Sequence, residues 1–382
     1  MDGLALTTEE SATRHPSYAA VPWAEWSDWR WQQQHRVTTR RELAKLIVLS
    51  DDEAGAIDAL GDRFRMAITP YYLGLIDPED PMCPIRRQAV PSSGELQIWP
   101  GERPDPLAED AHSPAPGLTQ RYPDRVLLYS SPNCAMYCRF CTRKRKVSDP
   151  DSALGKGELD GDLDYIRRTT SVKDVIVSGG DPLSLSNDRL AASFEALTDI
   201  AHVETARIGT RNIVTLPQRV DAGFADLLGT YQSRRLAIWV MTHFNHPREV
   251  TAEAWDACDR VIATGTPIQN QMVLLAGVND RSDVVIDLNR RLLRMRVKPY
   301  YILHADLEEG IGHFRVPIAT GKAIMADLRG PLSGLGVPQY VVDLPEGGGK
   351  VPVIPDYELA RPPEDWRFRN WQGRSIALRG GG

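Results

Sequence analysis

The hydrophobic pattern changes character along the chain. In "TTRRELAKLIVLSDDEAGAIDALGDRFRMAI" the apolar positions recur at helical spacing with a break near Ser50, which predicts a helical N-terminal region. Ahead of it, "WAEWSDWRWQQQHRV" sets four tryptophans between Trp23 and Trp31. That density predicts an aromatic-anchored helix buried against the rest of the chain or a partner subunit. Residues 1–18 read as a loose tail, and Pro78 to Pro123, rich in proline, aspartate and serine, as a long meandering connection. Then the rhythm shifts. "RVLLYSS", "VKDVIVSGG", "TARIGTR", "LAIWVMTHF", "IQNQMVLL" and "VKPYYILHAD" are short β-rich runs, separated by amphipathic stretches such as "DRLAASFEALTDIA" and "VVIDLNRRLLRM".

Strands alternating with helices predict an α/β fold with βα units around a parallel sheet. Six or so units suit a partial or complete (β/α) barrel better than a small doubly wound sheet. In barrels the chemistry sits on loops after the strands, and most of the polar motifs below follow one of these runs. The expected division is residues 1–120 as helical region and connection, 121–310 as barrel core, and 311–382 as a closing segment with "YVVDLPEGGGKVPVIPDYELA" and a Gly-rich tail. No internal repeat at a fixed period is present.

Composition narrows the function classes only a little. Over 382 residues, 42% hydrophobic and 25% charged content are those of a globular protein. A formal charge of −6 argues against nucleic-acid binding. No apolar run approaches the ~20 residues that cross a bilayer. "MDGLALTTEESATRHP" lacks the basic and apolar parts of a signal peptide, so neither nucleic acid nor membrane is expected as partner and a cytoplasmic location is.

Five cysteines are present, three of them in "SPNCAMYCRFCTRKRK". An odd count with one cluster is a poor disulfide framework and reads as metal binding. Cys83 and Cys258 read as small buried hydrophobes. Cys134, Cys138 and Cys141 form C-x3-C-x2-C after the first barrel-type strand. Thiolates ligate both iron–sulfur clusters and zinc. Structural zinc wants four protein ligands and no fourth Cys or His lies at zinc-finger spacing, so the alternatives are zinc completed from afar or a chance cluster. A [4Fe-4S] cluster on three cysteines leaves one iron open to a small molecule.

This spacing, with Phe140 before the last cysteine, resembles the signature of radical S-adenosylmethionine (SAM) enzymes. The resemblance implies that SAM binds the open iron and is split to a 5′-deoxyadenosyl radical. "VIVSGGDPL" follows the next strand and matches a segment that touches SAM in that superfamily, which points to Ser178, Gly179, Gly180 and Asp181. By itself Ser-Gly-Gly-Asp-Pro is also a good turn. "DLPEGGGKVPV" puts Lys350 after three glycines. A Walker loop would continue G-K-[ST] into a helix, whereas Val351 and Pro352 follow. The glycines could let a lysine swing as a Schiff-base lysine must.

From about Trp23 to Gln372 the chain resembles the lysine 2,3-aminomutase family, whose members use both radical SAM chemistry and pyridoxal phosphate (PLP). The pieces that carry it include "WSDWRWQ", "FRMAITPYYLGLIDPEDP", "RYPDRVLLY", "CAMYCRFCTRKR", "SGGDPL", "RIGTRNIVTLPQR", "THFNHP", "NQMVLLAGVND", "VKPYYILHADLEEGIGHFR" and "VVDLPEGGGKVPV". The resemblance implies a partial (β/α)6-type radical SAM barrel with a PLP lysine in the C-terminal segment. It implies that Lys350 carries PLP, with Arg121, Tyr122, Arg125 and Gln271 near that cofactor and His243 near SAM. Arg125 could equally pair with Asp124, and His243 could serve a strand-end hydrogen bond.

By the same resemblance Arg143 takes the substrate carboxylate, a role its guanidinium fork suits. Lys144 and Lys146 read as a solvated face. Asp306 and Asp343 would grip a side-chain ammonium, which argues for lysine and against glutamate. Arginine is the alternative substrate, since Glu308, Glu309 and Glu346 add acceptors nearby. The zinc site common among lysine enzymes of the family has Arg281 at one of its cysteine positions here, and no zinc is expected. A flavodoxin- or ferredoxin-type electron donor and a homo-oligomer complete the expectation.

Overall fold

The computed structural model describes residues 14–61, 63–147, 156–233, 235–360 and 365–379; most of the tail expected over residues 1–18 lies outside them. Nine strands form one sheet in sequence order: β1 (Leu118–Tyr122), β2 (Arg125–Ser131), β3 (Asp174–Gly179), β4 (Thr205–Gly209), β5 (Ala237–Thr242), β6 (Ile268–Leu274), β7 (Lys298–His304), β8 (Gln339–Leu344) and β9 (Gly349–Pro352). Strands β2 to β8 run parallel, while β1 and β9 close the two edges antiparallel. Six crossover helices join the parallel strands: Lys156–Arg168, Asn187–Thr198, Ala222–Tyr231, Ala252–Ala263, Ser282–Arg294 and Ile318–Leu328. The six expected βα units are therefore present, in a nearly closed, barrel-like sheet.

The strands show two differently buried faces. Val126, Leu128, Val175, Val177, Ile238 and Val240 are buried in the main core beneath the helices. Their neighbours one residue along, such as Leu127, Ile176 and Trp239, are only partly buried. Because side chains alternate between faces, this second set lines the inner side. Helix starts are fixed locally. Thr251, for instance, accepts a hydrogen bond from the Ala254 amide at 3.1 Å, and such a cap contributes about 1 kcal/mol.

The sheet crosses both expected boundaries. It begins at Leu118 and ends at Pro352, so the closing segment supplies two of its strands. The tryptophan-rich stretch is two short helices, Trp23–Trp26 and Trp29–Gln34, instead of one. Asp28 interrupts it by capping the second, accepting from the Arg30 amide at 2.9 Å. Trp26 is fully buried, whereas Trp23 is 61% exposed. The break at Ser50 is a capping box with Glu53 that opens the helix Asp51–Leu60. A three-stranded antiparallel sheet follows the barrel, with β10 (Glu358–Ala360), β11 (Asp365–Arg369) and β12 (Ser375–Arg379). Among the described residues no helix is long and apolar enough to cross a membrane.

Candidate active site

The cysteine loop leaves the end of β2 and is held from several sides. Arg36 donates to the Cys134 carbonyl at 2.7 Å, and the Tyr137 amide donates to the Ala67 carbonyl at 3.0 Å. Arg139, fully buried, forks onto Glu95 at 2.8 and 2.6 Å and donates to the Phe64 and Arg65 carbonyls. The N-terminal region is thus a clasp for this loop. All three thiols are free of disulfides. Burial, then the charge of Asp181 and of the other two sulfurs, pushes the Cys134 thiol well up. Burial and then Cys138 push Cys141 up to about 12. Three thiolates in one another's field need a cation among them. Among the described residues no group of three or more His, Cys, Asp or Glu side chains is arranged to hold a metal ion.

The end of β3 presses directly on the same loop. A Cβ on Gly180 would come within 2.5 Å of the Asn133 carbonyl oxygen, and one on Gly179, at φ +118°, within 2.7 Å of the Ser131 oxygen. The Gly180 amide donates to the Ser131 oxygen at 2.6 Å and the Asp181 amide to the Asn133 oxygen at 2.7 Å. Close approach requires glycine at both positions. Ser178 sits one residue earlier, partly buried. Asp181 is buried, and its carboxylate accepts from the Thr210 hydroxyl and the amides of Arg211 and Leu183. It ties the ends of β3 and β4 together, with its oxygens committed to protein donors.

Arg211, after β4, joins three motifs. Its guanidinium donates to the Cys138 sulfur at 2.8 Å, to Glu249 at 2.8 Å, to Gln88 at 2.6 Å and to the His243 carbonyl at 3.2 Å. His243, after β5, has its Nε2 3.1 Å from Asn245 Oδ1 and its ring 5.4 Å from Phe140. Burial, then the Arg211 charge, holds its pKa down at about 3, so the imidazole is neutral near pH 7.

Lys350 stands on the opposite edge. Hairpin register sets it directly across from Asp343, and its ammonium donates to that carboxylate. Arg121 forks onto the same carboxylate at 3.0 and 2.9 Å. Burial opposes ionisation of Asp343, but Arg121 and Lys350 outweigh it and hold its pKa below the usual value. The Tyr122 hydroxyl accepts from the Lys350 amide at 2.8 Å. Arg125 stacks on the Tyr122 ring at 3.7 Å and pairs with Asp124 at 2.8 Å. Gln271 is partly buried on β6, in register with Tyr301. The glycines before Lys350 are required by backbone shape and close approach. Gly347 and Gly349 have φ of +80° and +81°, and a Cβ on Gly349 would come within 2.8 Å of the Tyr122 hydroxyl.

The two edges meet at the end of β7. Asp306 lies in the field of Asp343, Lys350 and Arg121 on one side and beside Thr142, next to Cys141, on the other; burial, then Asp343, raises its pKa to about 6. Arg143 forks onto Glu109 at 2.8 to 3.1 Å. Burial works against the Glu109 charge, yet Arg143 keeps its pKa below the ordinary range.

Comparison with known proteins fits this geometry. Residues 128–288 match the model of the radical SAM superfamily, and residues 325–378 that of lysine-2,3-aminomutase. An L-lysine 2,3-aminomutase from Acetoanaerobium sticklandii is 46% identical over 93% of this chain and 85% of its own length. One from Clostridium subterminale is 45% identical over 94% and 86%. The chain belongs to the lysine 2,3-aminomutase family. A glutamate 2,3-aminomutase from Clostridioides difficile is 40% identical over 93% of this chain and 83% of its own length, so membership of this radical SAM aminomutase family leaves the substrate open.

Several side chains of this aminomutase differ from expectation. Lys144 is no solvated residue: it is buried and donates to Glu95 at 2.7 Å and the Gly310 carbonyl at 3.1 Å. Lys146 does reach the surface, paired with Asp110 at 2.7 Å. Glu346 faces solvent and pairs with Arg103, away from Asp306. Arg281 pairs with Asp283 on the surface. Cys83 and Cys258 are both buried. Glu109, Arg211 and Glu249 were not singled out from sequence. Glu109 sits in the Pro- and Asp-rich connection and belongs to no motif, while Arg211 was visible only as the second arginine of "RIGTR".

Proposed function

We propose that this chain is a PLP-dependent 2,3-aminomutase that moves the α-amino group of L-lysine to Cβ. The observation that carries the reading is that the Lys350 amine is linked to the cysteine loop through Asp343, which it pairs with, and Asp306, which feels Asp343 and Lys350 and is hydrogen-bonded by Thr142, next to Cys141. The relatives' names favour lysine, and two acidic groups at the end of β7 and β8 favour a cationic side chain over glutamate.

The residues fit the groups the family implies. Cys134, Cys138 and Cys141 would hold the [4Fe-4S] cluster, and Ser178, the Gly179–Gly180 backbone and His243 would border SAM, with Asp181 fixing that backbone. Lys350 would hold PLP, with Arg121, Tyr122, Arg125 and Gln271 around it. When bound, cluster and SAM supply a carbon-centred radical and PLP supplies the carbonyl that carries the migrating nitrogen. The protein's part is binding and position. Asp343 keeps the Lys350 amine turned inward, and Arg121 keeps Asp343 in place. Tyr122 pins the backbone beside the amine. Arg143 offers its fork to an α-carboxylate, sharing it with Glu109. Apolar inner residues such as Leu127 and Trp239 limit water around a reactive radical. A reductant of flavodoxin or ferredoxin type, a cytoplasmic location and a homo-oligomer belong to the same proposal.

A second reading, with arginine as substrate, is favoured by Glu308, a buried carboxyl near Asp306 whose Oε2 has no hydrogen-bond partner. An anaerobic assay of the iron-reconstituted enzyme with SAM, PLP and dithionite tests the proposal. β-Lysine from lysine is expected; no β-amino acid from lysine or arginine would overturn it.

A further inference from the structure

The cysteine loop also meets a hollow that none of the assignments above uses. Ala135, Met136, Arg139 and Phe140 are buried, so between Cys134 and Cys141 only Tyr137 and Cys138 are partly open. Tyr137 lies on the wall of a hollow of about 440 Å³ shared with the N-terminal region. Its ring is 5.9 Å from the Arg36 guanidinium, which lines the same hollow and donates to the Cys134 carbonyl at 2.7 Å. The Cys134 thiol and the Arg65 guanidinium are also near enough for their charges to act on the Tyr137 hydroxyl. The hollow therefore abuts the first cysteine, and its side chains are distinct from those assigned to SAM, PLP and substrate.

Its walls have a definite chemistry. Ile57, Phe64, Met66 and Pro91 supply apolar surface, Arg36 and the exposed Arg65 supply positive charge, and among the described residues no acidic side chain lines it. The carboxylates nearby are engaged. Asp58 pairs with Arg40, Glu309 with Arg63, and Glu42 accepts from the Thr38 and Thr39 amides. Residues 36–45 carry four basic side chains against one acidic in a chain of net charge −6. An apolar floor with a cationic rim fits a partner of the reverse kind, an apolar edge ringed by carboxylates. Small acidic flavin carriers present the dimethylbenzene edge of their flavin in this way. Local charge complementarity is what lets an acidic carrier dock on a chain that is itself acidic, and redox encounters need only a small interface.

We propose that this hollow is the docking surface for a flavodoxin-type electron carrier, whose flavin edge seats between Arg36, Arg65 and Tyr137. This rests on the cluster and reductant of the aminomutase reading above. One electron leaves the anionic flavin hydroquinone, which becomes the neutral semiquinone, and reduces the cluster by one; no proton is transferred. The carrier delivers its electron at the cysteine loop without entering the barrel, where SAM and substrate are held.

The test is calorimetric binding of oxidised flavodoxin to the iron-reconstituted enzyme, beside stopped-flow reduction of the cluster by flavodoxin hydroquinone and by dithionite. Arg65→Glu should weaken binding about fivefold or more and slow reduction by flavodoxin, while iron content and reduction by dithionite stay at wild type. Arg65→Lys should bind as wild type does. Arg281→Glu makes the same charge change at a surface arginine paired with Asp283, and should change nothing. Raising salt from about 0.05 to about 0.5 M should weaken wild-type binding by screening. An acidic ferredoxin, which has no flavin edge, should bind more weakly than flavodoxin. The docking proposal is overturned, and the aminomutase reading left standing, if Arg65→Glu binds within about twofold of wild type, if Arg281→Glu loses as much, if ferredoxin binds more tightly, or if salt does not weaken wild-type binding. Should Arg65→Glu lose iron, the salt series on the wild type decides alone. A wild-type cluster that dithionite does not reduce overturns both.

Discussion

Two corners of the candidate site are built on opposite principles. At the cysteine corner nearly every polar group is committed: Arg139 to Glu95, Arg211 to Cys138, Glu249 and Gln88, and Asp181 to Thr210 and two amides. At the end of β7, the buried Glu308 leaves its Oε2 without a partner, and burial raises the Asp306 and Glu308 pKa values to about 6 and about 9. A satisfied network holds a permanent group in fixed geometry. An unsatisfied one is a standing demand for a ligand. The difference fits the proposal that cofactor chemistry is kept at the first corner and a substrate admitted at the second; the first lies on loops after β2, β3 and β4, the second after β7.

The largest break in that contrast comes at Lys350, which belongs to the second corner but is held from beneath by Asp343. Lys350→Ala should lower turnover by about 10⁴-fold or more, as removing a group that acts within a concerted unit does, and abolish the visible absorbance of lysine-bound PLP, while four irons per chain remain. Loss of iron instead would mean that the corners are not independent. Next in size is the clasp. Glu95→Ala strands the buried Arg139 and Lys144 cations, and should destabilise the fold by about 3–5 kcal/mol, measured by urea unfolding. Gly180→Ala should cost about 1–3 kcal/mol by overpacking and lower iron content, because it pushes Asn133 and the cysteine loop aside.

A pH dependence sharpens the comparison further. Glu308 moves from an ordinary 4.5 to about 9 on folding, driven by burial and Asp306 against the opposing pull of Arg145 and Lys144. Between those values the folded chain binds a proton that the unfolded chain lacks. Stability from this group is therefore full below about pH 4.5 and lost as pH rises through about 9, by up to about 1.4 kcal/mol per pH unit. Glu308→Gln should flatten the decline in melting temperature from pH 6 to 9. An unchanged slope would show that Glu308 does not hold a proton over that range.

The parts of the site legible in the sequence are those whose spacing is chemical. Cys134, Cys138 and Cys141 are ordered by ligand geometry, and the strands by alternation, so the cluster loop and six βα units could be read directly. Gly179 and Gly180 were legible as a pair, but their reason, contact with the Ser131 and Asn133 carbonyls, is tertiary. The pairings Arg143 with Glu109 and Arg121 with Asp343 join residues 34 and 222 positions apart, which no local pattern encodes. Lys144 misled for a related reason: in a run of basic residues it looks solvated, and only Glu95, 49 positions away, draws it inside.

The central claim is that the radical made at the cysteine corner reaches an amino acid held at Lys350. The most direct measurement uses lysine deuterated at Cβ in an anaerobic reaction with SAM and follows the label by mass spectrometry. Deuterium should enter 5′-deoxyadenosine and β-lysine, and neither should be labelled with Lys350→Ala. SAM cleavage that leaves the label wholly on unreacted lysine would contradict the account.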